Sequence, residues 1–269
     1  MMLRAGFGNR DYREGPAPGG LVSFRAVVDE TDLWIAAREN LTAAALASIR
    51  KHRAGVEEYI GEHPGFASAL KPWVVKVPHG SLVSRMTEAA AAVGIGPMAA
   101  VAGTIAEAVA RDLNLRSGQV VVENGGDLYL IGGRPRRIGI WAGKSPLTNR
   151  VGLEVVPGGG IAVCTSSGTV GPSLSFGKAD AAVVISRSGA LADAAATALG
   201  NRVNGPGDVE SALDWAMSVT GITGAVVVLG STIGAKGQVE LVPLADPKSK
   251  IQDPKSKIQD SKSRIQNPK

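Results

Sequence analysis

Asp193 and Thr197 stand four residues apart in GALADAAATALGN, so on a helix their side chains share one face, one turn apart. They sit among alanines, with no basic residue before Arg202. A carboxylate and a hydroxyl at that spacing suit a hard cation such as Mg2+, which takes oxygen ligands and keeps waters or phosphates around it. An acidic residue in a first helical turn, favoured there by the helix dipole, gives the same pattern. Spacing alone leaves both readings open.

Two further polar motifs lie in the same stretch, Glu123 to Asn201. ENGGDLYL places Asn124, Gly125, Gly126 and Asp127 between two apolar runs, as either a tight hairpin or a ligand-binding loop. CTSSGTVGPSLSFGKAD is longer than a turn requires. Its Thr165, Ser166, Ser167 and Gly168 offer the hydroxyls and backbone N–H groups that suit phosphate oxygens. Cys164, just before this loop, reads as a reactive thiol or as a small buried hydrophobe.

Several chemistries are disfavoured. There is no GxSxG elbow, and His52, His63 and His79 all fall in the first third, far from the serine-rich loop. No HExxH or Walker pattern occurs, and GIGPMA at Gly94 follows a helix rather than a strand, so it fails as a dinucleotide fingerprint. The single cysteine allows no intramolecular disulfide and no cysteine-based zinc site.

The net charge of +5 hints at nucleic acid, but seven Lys or Arg against three Asp lie from Asp246 onward. A basic surface on the fold itself is therefore not expected, nor a nucleic-acid partner. The first residues lack the apolar core of a secretory signal, and no apolar run is long enough to span a membrane. The expectation is a cytoplasmic protein with a small-molecule ligand, no membrane partner, and room for a homo-oligomer.

These motifs need elements to position them. Strands are expected over 21–28 and 32–37 as a hairpin, then a helix over 40–60 and an extended, proline-interrupted segment from Lys71. Helices follow over 84–93 and 98–113, and strands over 119–123, 127–131, 138–142, 151–156 and 160–165. PGGG from Pro157 reads as a hairpin between the last two. A strand over 181–186, helices over 190–199 and 208–219 with Asp208 as a cap, and strands over 225–229 and 239–242 close the series. Hairpin-linked strands mixed with helices argue for an α+β fold, largely antiparallel sheets flanked by helices. Residues 1–20 are expected to be flexible, 21–245 one domain, and 246–269 a disordered tail of DPKSKIQ-type repeats.

Together and in this order, GLVSFRAVVDETDLWI, GPMAAVAGTIAEAV, ENGGDLYL, TSSGTVG, SFGKAD and ADAAATALGN resemble the ApbE-like superfamily, most closely its cytoplasmic branch. The resemblance covers roughly Gly20 to Val242. It implies an FAD or other nucleotide pocket lined by Gly125, Gly126 and Asp127 with Thr165, Ser166 and Gly168. It also implies Mg2+ on Asp193 and Thr197, with a backbone carbonyl from Ala99–Ala102. The flavin transferases of the superfamily carry a histidine after the Thr-Ser-Gly loop, where this chain reads GPSLSFGKAD, and a lysine where it has Gly103. Transfer of FMN to a protein is not expected without that histidine. Two readings follow from the resemblance: an enzyme of sulfur assimilation and homocysteine formation using Cys164, or a nucleotide-binding carrier that has lost the transferase reaction.

Overall fold

The computed structural model describes residues 3–5, 18–75, 81–168 and 176–244. Twelve described strands form two sheets. The larger has eight antiparallel strands in the order β11-β10-β9-β8-β5-β4-β3-β2. In chain order these are β2 (Val22–Val28), β3 (Thr31–Ala37), β4 (Val120–Asn124), β5 (Asp127–Gly132), β8 (Gly158–Ser166), β9 (Ala181–Ser186), β10 (Ile222–Leu229) and β11 (Thr232–Gly237). The smaller sheet is ordered β1-β6-β7-β12, from β1 (Leu3–Ala5), β6 (Arg136–Ile140), β7 (Val151–Val155) and β12 (Glu240–Pro243).

The large sheet is the middle of three layers. Successive side chains of a strand point to opposite faces. On β3, Leu33 and Ile35 join the helical core, while Trp34 and Ala36 join the core against the small sheet. On β9, Ala182 and Val184 face one way and Ala181, Val183 and Ile185 the other. Burial on both faces explains why these strands read as continuous small apolar runs. Each fully buried Val, Leu or Ile contributes about 1.5–3 kcal/mol.

The helices cover one face: α1 (Thr42–Glu62), α2 (Gly65–Ser68), α3 (Leu82–Val93), α4 (Val101–Ser117), α5 (Gly189–Gly200) and α6 (Val209–Ser218). α3 starts where the Ser81 hydroxyl accepts the Ser84 N–H at 3.2 Å, and stops at Gly94 in the left-handed region. No single helix is long and apolar enough to cross a membrane among the described residues.

The α+β class holds, and the differences are local. Pro157–Gly160 is not a hairpin: β7 pairs with β6 and β12, whereas β8 pairs with β5 and β9. The glycines carry the chain from one sheet to the other, a step that strand patterning cannot distinguish from a turn. Residues 1–20, expected to be irregular, contain β1, which pairs in parallel with β6. Asp208 does not cap α6; its carboxylate accepts the Asn204 and Gly205 N–H groups and ties the preceding turn. The strand Thr232–Gly237, absent from the sequence reading, pairs with β10 as an exposed edge strand. The repeat tail lies outside the described residues, as does the Lys76–Gly80 part of the extended segment.

Candidate functional site

The site is built where α4 and α5 cross over one end of β4 and β5. The crossing is a close backbone contact between Gly103 and Gly189. A Cβ on either glycine would fall well inside contact distance of the other's carbonyl oxygen. Four residues beyond each glycine stands an acid, Glu107 on α4 and Asp193 on α5, and each reaches across to the first turn of the opposite helix. Asp193 Oδ2 accepts the Gly103 N–H at 2.8 Å, and its carboxylate also accepts from Ala102. Glu107 Oε2 accepts the Gly189 N–H at 2.7 Å. The first-turn N–H groups of a helix have no partner within it, so each helix caps the other.

The two acids differ in what else surrounds them. Glu107 Oε1 accepts from Arg111 Nε at 2.8 Å and lies 3.7 Å from an Arg85 nitrogen. Asp193 meets another acid instead. Its carboxyl is in hydrogen-bonding contact with that of Asp127. Asp127 is 7% exposed and accepts the Thr165 N–H at 3.2 Å.

Burial, first, and the neighbouring charge hold both carboxyls protonated above the usual range. Asp127 is pushed up to about 7, with Glu123 adding repulsion, and Asp193 is raised well above its ordinary value by burial and then by Asp127. The pair shares protons, as two carboxylates this close cannot both ionise alone.

Asp127 gets its place from the β4–β5 turn. Asn124 pairs with Asp127 across a two-residue loop, and Gly125 and Gly126 both take positive φ (63° and 109°), which glycine adopts freely. The Glu123 carboxylate accepts the Gly126 N–H at 2.8 Å, and Asn124 Nδ2 donates to the Ala102 carbonyl at 3.0 Å. The motif is therefore a hairpin and a cavity wall at once.

A cavity of about 800 Å³ opens over this pair. Asn124, Gly125, Asp127, Thr165, Ser166, Asp193 and Thr197 all line it. Val101 and Ala102 from the start of α4 line it too, with Ala99 from the turn before it and Leu70, Ile95, Met98 and Phe176 as its apolar part. Gly126, Ser167 and Gly168 lie beside the lining without forming it. The Thr165 and Ser166 hydroxyls are buried with no hydrogen-bond partner among the described residues. Such groups ordinarily find a partner in a water or a ligand. Sequence reading missed Glu30, Asp32, Phe176 and Asn201 as lining residues. It also missed Glu107, whose signal was present: the spacing glycine, three residues, acid occurs in both GTIAE and GALAD.

Of the two roles open to Cys164 in the sequence, its position is that of the buried hydrophobe. It is fully buried in the helical core, outside the cavity lining, with Sγ 3.9 Å from the Gly189 carbonyl and in contact with the Asp127 carboxyl. Burial, then the charges of Asp127, Asp193 and Glu107, push its thiol well up. It is a protonated packing residue behind the acid pair rather than a thiolate at the loop's entrance.

The donor set fits a hard divalent cation. No three Asp, Glu, His or Cys side chains gather into a metal cluster among the described residues. Two carboxyls, the Thr197 hydroxyl and backbone carbonyls at the start of α4 are the oxygens on offer. A cation between Asp127 and Asp193 would replace the shared proton and relieve their repulsion.

The architecture defines a class. It matches the flavin transferase ApbE of Vibrio cholerae with a TM-score of 0.54 at 14% identity, over 82% of this chain and 97% of that one. An ApbE protein of Thermotoga maritima matches with a TM-score of 0.51 at 13% identity, over 80% and 96%. The fold is ApbE-like. Within that class the sequence is more specific. A family model described as "AbpE bacteria" matches residues 15–241. A UPF0280 protein of Methanosarcina barkeri is 48% identical over 223 residues, 81% of this chain and 87% of that protein. A UPF0280 protein of Methanopyrus kandleri is 40% identical over 81% and 91%. The chain belongs to this ApbE-like UPF0280 family.

Proposed function

We propose that the chain binds FAD or another nucleotide in the cavity over Asp127 and Asp193, with Mg2+ on Asp193 and Thr197, and does not transfer FMN. The observation that carries this reading is the acid pair itself. Two coupled carboxyls face a cavity that no Lys, Arg or His lines among the described residues. A ligand bearing phosphates would find no positive side chain there among the described residues unless a divalent cation came with it. The unpartnered Thr165 and Ser166 hydroxyls and the apolar wall of Leu70, Ile95, Met98 and Phe176 supply acceptors' partners and a surface for a planar ring. No histidine lines the cavity among the described residues, which argues against the proton transfer that phosphoryl transfer to a protein hydroxyl would need.

Sulfur chemistry carried by Cys164 fits poorly, because a nucleophilic thiolate would have to form among three acids with no access from the cavity. Replacing Cys164 with Ser should leave ligand binding and any sulfur incorporation unchanged; loss of sulfur incorporation alone would restore the thiol to the reaction. The binding reading is tested by calorimetric titration of FAD with and without Mg2+. Mg2+-dependent binding supports it, and absence of binding in both conditions removes it.

A further inference from the structure

The sheet that carries Asp127 at one end has arginines at the other. β3 ends at Ala37, opposite Val120 at the start of β4, which in turn lies opposite Ile131 near the end of β5. Arg38, Gln119 and Gly132 therefore stand together at the end of the sheet away from the Gly125–Gly126 turn. The chain then turns into β6 and brings back Arg134 and Arg136.

Arg136 is the feature that needs explaining. It is 8% exposed, yet among the described residues its guanidinium makes one hydrogen bond, from Nη2 to Gln119 Oε1 at 3.2 Å. Nη1 lies against the Gly19 backbone. Arg53 and Arg85, whose side chains are also mostly covered, each lie against a carboxylate: Glu30 and Glu57 for the first, Glu107 for the second. Arg136 has none within ion-pair distance among the described residues. Arg134 adds repulsion rather than relief, and burial and that neighbour together lower the Arg136 pKa. Arg38 joins them: its N–H donates to Ser117 Oγ at 3.0 Å, and its guanidinium lies beside Gly118. Glu39, exposed and next in sequence, pairs with none of the three.

A covered cation without a counter-charge is costly unless an anion completes it. A guanidinium presents a planar fork of N–H donors matched to two oxygens of one oxyanion, and most of that fork is unused here. Arg38 and Arg134 add two further positive charges at the same end of the sheet, which favours an anion of more than a single negative charge. We propose that this end of the sheet is a phosphate site, with Arg136 as the fork and Arg134 and Arg38 as flanking charges. The phosphate is either the free ion or a small monoester. This site is separate from the acid-lined cavity and does not depend on what that cavity binds.

The test is calorimetric titration of the full chain with inorganic phosphate and with methyl phosphate, at fixed ionic strength and with a chelator present. Saturable binding of inorganic phosphate is expected; comparable binding of methyl phosphate assigns the site to monoesters as well, and its failure restricts the site to the free ion. The double variant R38S/R134S alters two exposed side chains and so retains the fold. Its affinity should drop about tenfold or more. Arg136→Gln should abolish binding, and Asp193→Asn should leave it unchanged. The proposal is overturned if the wild-type chain shows no saturable heat, if R38S/R134S binds as the wild type does, or if Asp193→Asn is the variant that loses phosphate.

Discussion

Glu107 and Asp193 occupy equivalent places on the α4–α5 crossing and have opposite surroundings. Each stands four residues after a contact glycine and caps the other helix's first turn. Glu107 is matched by Arg111 and Arg85, so its charge is satisfied within the fold. Asp193 is matched by a second acid and faces a cavity. The same local geometry thus yields a structural brace at one end and an unsatisfied site at the other. What separates them is the partner that the tertiary structure supplies, not the motif.

That contrast can be broken from either end. The largest effect is expected at the site: Asp193→Ala should weaken Mg2+-dependent FAD binding on the order of 100-fold, read by calorimetry. At the brace, Glu107→Ala should leave two guanidiniums and the Gly189 N–H unmatched and cost about 3 kcal/mol of unfolding free energy in a denaturant titration. An equal loss of stability in Asp193→Ala and Glu107→Ala would erase the distinction between site and brace. Gly103→Ala tests the contact beneath both acids. Forcing the helices apart should cost about 2 kcal/mol, with a matching loss of Mg2+ affinity because Asp193 moves with α5.

Protonation sharpens the comparison further. Asp127 is held at about 7 in the fold against 3.8 as an ordinary carboxyl, so the folded chain keeps a proton that the unfolded chain has released. Stability from that proton is complete below about pH 4 and is lost as pH rises towards about 7. The slope within that window should be at most about 1.4 kcal/mol per pH unit. Metal-free protein should therefore weaken across this window, whereas Asp127→Asn should flatten the dependence and saturating Mg2+ should offset it. The smallest change belongs to the arginine end, where R134S, on an exposed side chain, should shift unfolding by no more than about 0.5 kcal/mol.

Much of this was legible in the residues. The apolar runs on either side of Gly125–Gly126 marked β4 and β5, and ADAAAT put Asp193 and Thr197 on one helical face, both of which reach the cavity. Other parts depended on long-range partners. Pro157–Gly160 resembles a hairpin because a glycine run reads alike whether it reverses a strand or passes it to another sheet. Cys164 sits near a strand end beside a polar loop in sequence, but on β8 it shares the face of Ala162 and packs into the helical core, while Thr165 and Ser166 at the strand's end reach the cavity. Asp127 was visible as a polar residue after a turn. Its pairing with Asp193, which spans the crossing, was not.

The central claim is that the acid pair makes ligand binding conditional on a divalent cation. Calorimetric titration of FAD into the full chain at pH 8, above the range in which Asp127 holds its proton, tests it most directly. Binding with Mg2+ present, and its loss on chelation, is the predicted result. Equal affinity with and without Mg2+, or no binding in either condition, would contradict it.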